Sequence, residues 1–166
     1  MVDRQNIDDR QLLLRHGGAL LAAAAHAIDF GIKHRRAPKF SMGDVLQELQ
    51  QHRMTFVTLT LRGHLRGCVG TLSPCRPLIE DAAANGYAAA FHDPRFPTLT
   101  PKENENTGIS LALLGPKTKM SFADEADLLK QLVPRRDGLI IADHGKRAVF
   151  LPQVWKNLSD PTDFLV

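Results

Sequence analysis

The sequence predicts an α+β fold, a mainly antiparallel sheet with helices packed against it. Two hairpin patterns carry that prediction, one over residues 54–72 and one over 137–151, each with a short turn between apolar strands. Helical patterns are interspersed with them, which places helices on a sheet. The chain has 166 residues, 43% hydrophobic and 23% charged. These values suit one globular domain, since domains run to roughly 100–200 residues.

The first helix begins near Arg10, with Asp8 and Asp9 able to cap it. Leu13, Gly17, Leu20, Leu21, Ala24 and Ile28 recur every three or four residues and make one apolar face. Gly31 is placed to stop it. A short helix is expected over 44–52, with Val45, Leu46 and Leu49 facing inward. Residues 54–61 read as a strand, Arg62-Gly63-His64 as a turn and 65–72 as the returning strand. Glycines at 63, 67 and 70 are unusual in a packed hairpin and mark a bulge or a close approach by another backbone or a ligand. Residues 78–91 form a helix whose inner side carries Ile79, Ala82, Ala83, Gly86, Tyr87 and Ala90, its alanines allowing close packing on the sheet. The two prolines of His92-Asp93-Pro94-Arg95-Phe96-Pro97 make the next segment a rigid loop. A strand over 107–114, a helix over 123–132 and the hairpin 137–142/147–151, turned by Asp143-His144-Gly145-Lys146, complete the pattern. Pro152 opens a last helix containing Trp155.

Several function classes are disfavoured. The 21 basic and 18 acidic residues leave a net charge of +3, too small to require a nucleic-acid partner. The basic runs Lys33-His34-Arg35-Arg36 and Arg62/His64/Arg66 read first as solvated loops. Residues 1–10 are polar, without the apolar core of a signal peptide. The apolar run 12–30 carries Arg15, His16, His26 and Asp29, whereas a membrane span needs about 20 uncharged apolar residues. A cytoplasmic location is expected, with the two cysteines, Cys68 and Cys75, as reduced thiols. No metal is expected, because His64, Cys68, Cys75 and His92 lack the paired close spacing of zinc ligands. Phosphate-binding glycine loops, dinucleotide fingerprints and stacking aromatics are absent from the sequence.

Two segments remain as candidate chemistry. In a regularly alternating strand Arg66, Cys68 and Gly70 share one face, setting a thiol beside a guanidinium that favours its nucleophilic form. The bland reading is a small buried Cys68. In His92-Asp93-Pro94-Arg95, a histidine beside a carboxylate suits proton transfer and Arg95 suits anion binding. Here the bland reading is a capped turn with a structural ion pair.

Leu65-Arg66-Gly67-Cys68-Val69-Gly70 closely resembles the LRGCIG signature of the AMMECR domain family, with Val69 for isoleucine. Thr55-Phe56-Val57-Thr58-Leu59, Asp93-Pro94-Arg95-Phe96-Pro97, Ile109-Ser110, Asp137-Gly138-Leu139 and Leu151-Pro152-Gln153-Val154 are similar, in order, to further family segments. Family members usually run on past the region of Trp155 into another helical stretch, which this chain does not show. The resemblance implies a single family domain over 1–166 of two lobes, with the signature hairpin lining a cleft. It also implies a pathway shared with a Memo-like protein and a radical SAM protein. No reaction or cofactor comes with it.

Two functional readings follow. In the enzyme-like reading, a cleft centred on Cys68 handles a small anionic or nucleotide-like substrate. Cys68 and His92 are its catalytic candidates, and Arg66, Gly67, Gly70, His64, Asp93 and Arg95 its ligand contacts. In the adaptor reading the same surface holds a small anionic ligand or a partner without catalysis. Nucleic-acid binding is a lesser third reading, resting on the pI of 9.1 and the Arg62/His64/Arg66 cluster.

Overall fold

The structure is a computed structural model and describes residues 4–134, 136–150 and 155. The chain divides into two compact units, Met1–Pro116 and Lys117–Val166.

The first unit is the expected antiparallel sheet flanked by helices. Helix α1 (Arg4–His34) is followed by a 3-10 turn (Met42–Asp44) and the short α2 (Gln47–Gln50). Then come β1 (Met54–Leu61), β2 (His64–Gly70), α3 (Leu78–Phe91), α4 (Pro101–Asn104) and β3 (Thr107–Leu114). The sheet has the order β2-β1-β3, antiparallel throughout. Val57 and Leu59 point to one face and are fully buried with Ala24 and Ile28 of α1 and Ala89 and Ala90 of α3. Both long helices therefore lie on that face. A second cluster joins them, built from Leu12, Leu20 and Ala23 of α1 and Leu78, Ile79 and Ala82 of α3.

Helix α1 is longer at both ends than the sequence suggests. Asp8 and Asp9 lie inside it, and Gly31 does not stop it. A Cβ at Gly31 would come 2.5 Å from the Phe91 ring and 2.7 Å from the Tyr87 ring, so this glycine admits α3 rather than ending a helix. The end falls at Arg35, whose φ of 58° makes it the left-handed closing residue. Its N–H donates to the Gly31 carbonyl at 2.8 Å. The alanines of α3 serve α1 as well as the sheet: a Cβ on Gly86 would sit 3.0 Å from Ala24. The helix expected over 44–52 shrinks to α2, and Leu46, expected inside, is 58% exposed as the residue that precedes it.

The first hairpin turns on two residues, not three. Arg62 and Gly63 both have positive φ, 52° and 81°, the pairing that matches the twist of two-residue hairpins. Strand β2 consequently begins at His64 and ends at Gly70. Its register shifts between Leu59 and Thr60, so that Thr60 faces Leu65 while Leu59 faces Gly67, leaving Arg66 as the extra residue of a bulge. The expected plain alternation through Arg66, Cys68 and Gly70 is thus broken: Leu65, not Arg66, shares a face with Cys68.

The second unit contains α5 (Glu125–Gln131) and the hairpin β4 (Leu139–Asp143) and β5 (Lys146–Phe150), turned at His144 and Gly145. Leu128, Leu132, Leu139 and Trp155 form its core, and the Trp155 indole donates to the Asp137 carbonyl at 2.8 Å. The helix expected from Pro152 lies outside the described residues apart from Trp155. Among the described residues no helix is long and apolar enough to cross a membrane.

Candidate functional site

The face of the sheet opposite the helices carries Phe56, Thr58 and Thr60 of β1, by strand alternation. Thr58 pairs with Cys68 on one side and Ser110 on the other, so a thiol flanks a hydroxyl, with a second hydroxyl beyond, across three strands. Cys68 is half-buried, and its Sγ lies 3.3 Å from the Thr58 hydroxyl in a hydrogen bond.

β2 is an edge strand, and at Cys68 its edge is occupied by side chains. The Cys68 N–H donates to Asp93 Oδ2 at 2.8 Å, and Arg95 Nη2 donates to the Cys68 carbonyl at 3.2 Å. Together Asp93 and Arg95 stand where a fourth strand would pair, which is one way a sheet edge is blocked. Asp93 also accepts from Arg95 Nε at 2.9 Å, Arg95 Nη2 at 2.7 Å and the Arg95 N–H at 3.1 Å. The Arg95 guanidinium, more than the Cys68 and Arg95 N–H groups, holds the Asp93 carboxyl well below the usual carboxylate range, against the opposing pull of burial. Asp93 and then Cys68 in turn push Arg95 up, against its own burial.

The guanidinium beside Cys68 is therefore Arg95, not Arg66. The bulge sends Arg66 inward, where its side chain is 8% exposed. Its Nε and Nη2 donate to Glu103 at 3.0 and 3.2 Å and its Nη2 to the Pro97 carbonyl at 2.8 Å. Thr100 and Glu103 close a capping box on α4, so the partner of Arg66 is held in place by its own helix. The Phe96 ring is close to both arginines, its centroid 5.9 Å from the Arg66 guanidinium and 5.5 Å from that of Arg95.

Arg66, and next the Thr100 N–H, lower the Glu103 carboxyl to about 2. A carboxylate depressed on folding adds stability that is complete above its unfolded value, the ordinary 4.5, and fades as pH falls toward about 2. The stability gap between the wild type and Glu103→Gln is expected to be constant above that window and to close within it. Thermal unfolding of the two proteins across pH checks this, and a gap unchanged down to the low end would refute it.

The remaining candidates fall as follows. His64 is exposed at the start of β2, and His92 is exposed at the end of α3 with its ring 5.2 Å from that of Tyr87. Arg62 and His64 are exposed but Arg66 is buried, so the three do not form one basic patch. The space beside Gly67 is taken by α3, because a Cβ there would lie 2.1 Å from the Ala89 carbonyl oxygen. That beside Gly70 is taken by the Phe56 ring at 2.2 Å. Among the described residues no group of three or more His, Cys, Asp or Glu is placed to hold a metal ion.

Sequence reasoning passed over a polar cluster at the far end of the hairpin. Asp81 is fully buried. Its Oδ2 accepts from the Thr55 N–H and hydroxyl at 2.8 and 2.7 Å and from Asn85 Nδ2 at 3.0 Å. Its Oδ1 accepts from the Thr71 hydroxyl at 2.7 Å and Arg76 Nε at 2.9 Å. Asp81 and Asn85, four apart on the inner side of an alanine-rich helix, were the legible signal.

The AMMECR1 family model matches residues 21–166. The chain belongs to the AMMECR1 family. Among AMMECR1 relatives, a protein of Methanothermobacter thermautotrophicus is 34% identical over 141 residues, covering 83% of this chain and 71% of its own. A protein of Methanosarcina mazei is 31% identical over 152 residues, covering 90% and 76%. The crystal structure of an uncharacterized protein from Pyrococcus horikoshii matches with a TM-score of 0.80 at 29% identity, covering 88% of this chain and 74% of that one. The resemblance read from the Cys68 hexapeptide is thus family membership, and the α+β fold with helices on an antiparallel sheet is shared with a solved AMMECR1-like structure.

Proposed function

We propose that this AMMECR1 protein handles a small anionic or nucleotide-like substrate at a site centred on Cys68, in an enzyme-like role. The observation that carries the reading is the setting of the thiol, with the Thr58 hydroxyl at 3.3 Å and the Arg95 guanidinium against the same residue. A nucleophile flanked by a hydrogen-bonding hydroxyl and a cation is a common arrangement for attack on an electrophile. His92 stays the candidate proton-transfer group through its place beside the Asp93 loop. A Memo-like and a radical SAM protein are the partners this reading expects, and the cytoplasm its location.

A screen of small anionic metabolites and nucleotides by thermal shift tests it. A ligand that raises the melting temperature of the wild type is expected to lose at least half of that shift in Cys68→Ala, with the fold kept. Ligands that stabilise both proteins equally would overturn the reading. The non-catalytic alternative draws on a separate observation, that the gaps beside Gly67 and Gly70 are filled by the protein's own Ala89 and Phe56. In that case complexes with Memo-like or radical SAM proteins form as well with Cys68→Ala as with the wild type.

A further inference from the structure

The Asp93–Arg95 pair presents its two ends very differently. The Asp93 side chain is 2% exposed and the Arg95 side chain 54%. Both oxygens of Asp93 are committed, to Arg95 and to the Cys68 N–H, so nothing remains for a ligand to donate into. On Arg95 the Nε and Nη2 edge faces Asp93 and the Cys68 carbonyl, which leaves the Nη1 arm outward among the described residues. An approaching molecule therefore meets the positive end of a dipole whose negative end is sealed away. Arg66 cannot share this task, being buried and engaged by Glu103. The two ion pairs, Arg66–Glu103 and Arg95–Asp93, cancel in formal charge.

Resting on the Cys68 site proposed above, we infer that Arg95 is its specificity-determining residue and that the ligand is a singly charged carboxylate, not a nucleotide. One guanidinium arm suits one carboxylate oxygen, with the electrophilic carbon of the ligand held toward the Cys68 sulfur. A polyphosphate would bring several negative charges to two neutralised pairs and gain little. Asp93 is then a positioning residue. It turns the Arg95 fork and fixes the Cys68 backbone, and it touches no ligand.

The test uses two alkylating probes of similar size, iodoacetate, which is a carboxylate, and iodoacetamide, which is neutral. Each forms a carbon–sulfur bond to the thiolate and expels iodide, so their relative rates read the local charge. In the folded chain the iodoacetate-to-iodoacetamide rate ratio at Cys68 should exceed that at the exposed Cys75 by about fivefold or more, the scale of a contact charge under partial screening. It should fall to the Cys75 value in Arg95→Gln, persist in Arg95→Lys, and shrink as salt is raised. Millimolar small monocarboxylates should protect Cys68, and mononucleotides should not. A ratio equal to that at Cys75, indifferent to Arg95→Gln or to salt, or better protection by nucleotides, would overturn the inference while leaving the Cys68 site standing. Failure of both probes to label Cys68 until the protein is unfolded would instead remove the site reading itself. If Arg95→Gln does not fold, the Arg95→Lys variant and the wild-type salt series decide the question.

Discussion

Gly67→Ala is expected to destabilise the protein by about 3 kcal/mol, more than a core methyl usually costs when added. The added Cβ would meet the carbonyl oxygen of Ala89 at 2.1 Å and its carbonyl carbon at 3.0 Å. These are backbone atoms of α3, which cannot swing aside as a side-chain tip can. The helix is held on its other side by α1 at Gly86 and Ala24, so moving it disturbs a second close contact. Two controls separate sterics from other glycine effects. A Cβ at Gly43 would have nothing within 4 Å, and Gly43→Ala should be near neutral. Gly63 has equally open space but a φ of 81°, so Gly63→Ala should cost only the left-handed strain, about 1 kcal/mol. Denaturant titrations of the three variants should rank 67 far above 63, and 63 above 43. A Gly67→Ala protein as stable as the Gly63→Ala one would refute the packing argument.

Asp81→Ala should be as severe, about 3–5 kcal/mol, because it strips five donors of a buried acceptor. Arg76 can recover water, with 37% of its side chain exposed, but Thr55 is fully buried and cannot. The loss should concentrate there. Amide hydrogen exchange at Thr55 should rise well above the change at residues near the Arg62–Gly63 turn. Coupling to Thr71→Val gives a second check, since residues sharing one acceptor are non-additive by roughly 0.5–3 kcal/mol. Strict additivity would show that the cluster does not act as a unit.

How much of the molecule is legible in the sequence depends on the kind of interaction. Strand β1, helix α3 and strand β3 end where their patterns predict, because those patterns are dense in apolar residues and bounded by turn chemistry. The ends of α1 do not, since Gly31 is a packing glycine, and its partners Tyr87 and Phe91 are too distant in the chain to leave a local mark. The glycines of β2 signal a bulge or a close approach, but its place at Arg66 is hidden for the same reason: it is a matter of pairing between strands, and β2 alone does not show which residue is the extra one. Arg66 looks like the neighbour of the thiol, while the residue that reaches it, Arg95, comes from a loop whose approach only the tertiary fold decides. Glu103 gives no warning, because a carboxylate reads as a surface group until its donors are seen converging on it, and Asp81 is signalled only by its place four residues before Asn85 on the inner side of α3.

The extra residue at Arg66 has a consequence for how such a chain can diverge. Substitutions along β2 alter one contact at a time. A one-residue insertion or deletion that the bulge did not absorb would instead slip β2 by one residue against Leu59 and Thr60 of the opposite strand. Every side chain beyond it would then exchange faces, sending Cys68 toward α3 and Gly67 to the face opposite the helices. The hexapeptide should therefore keep its length more stringently than its letters, and lineages that drift here should do so by replacement within a fixed frame.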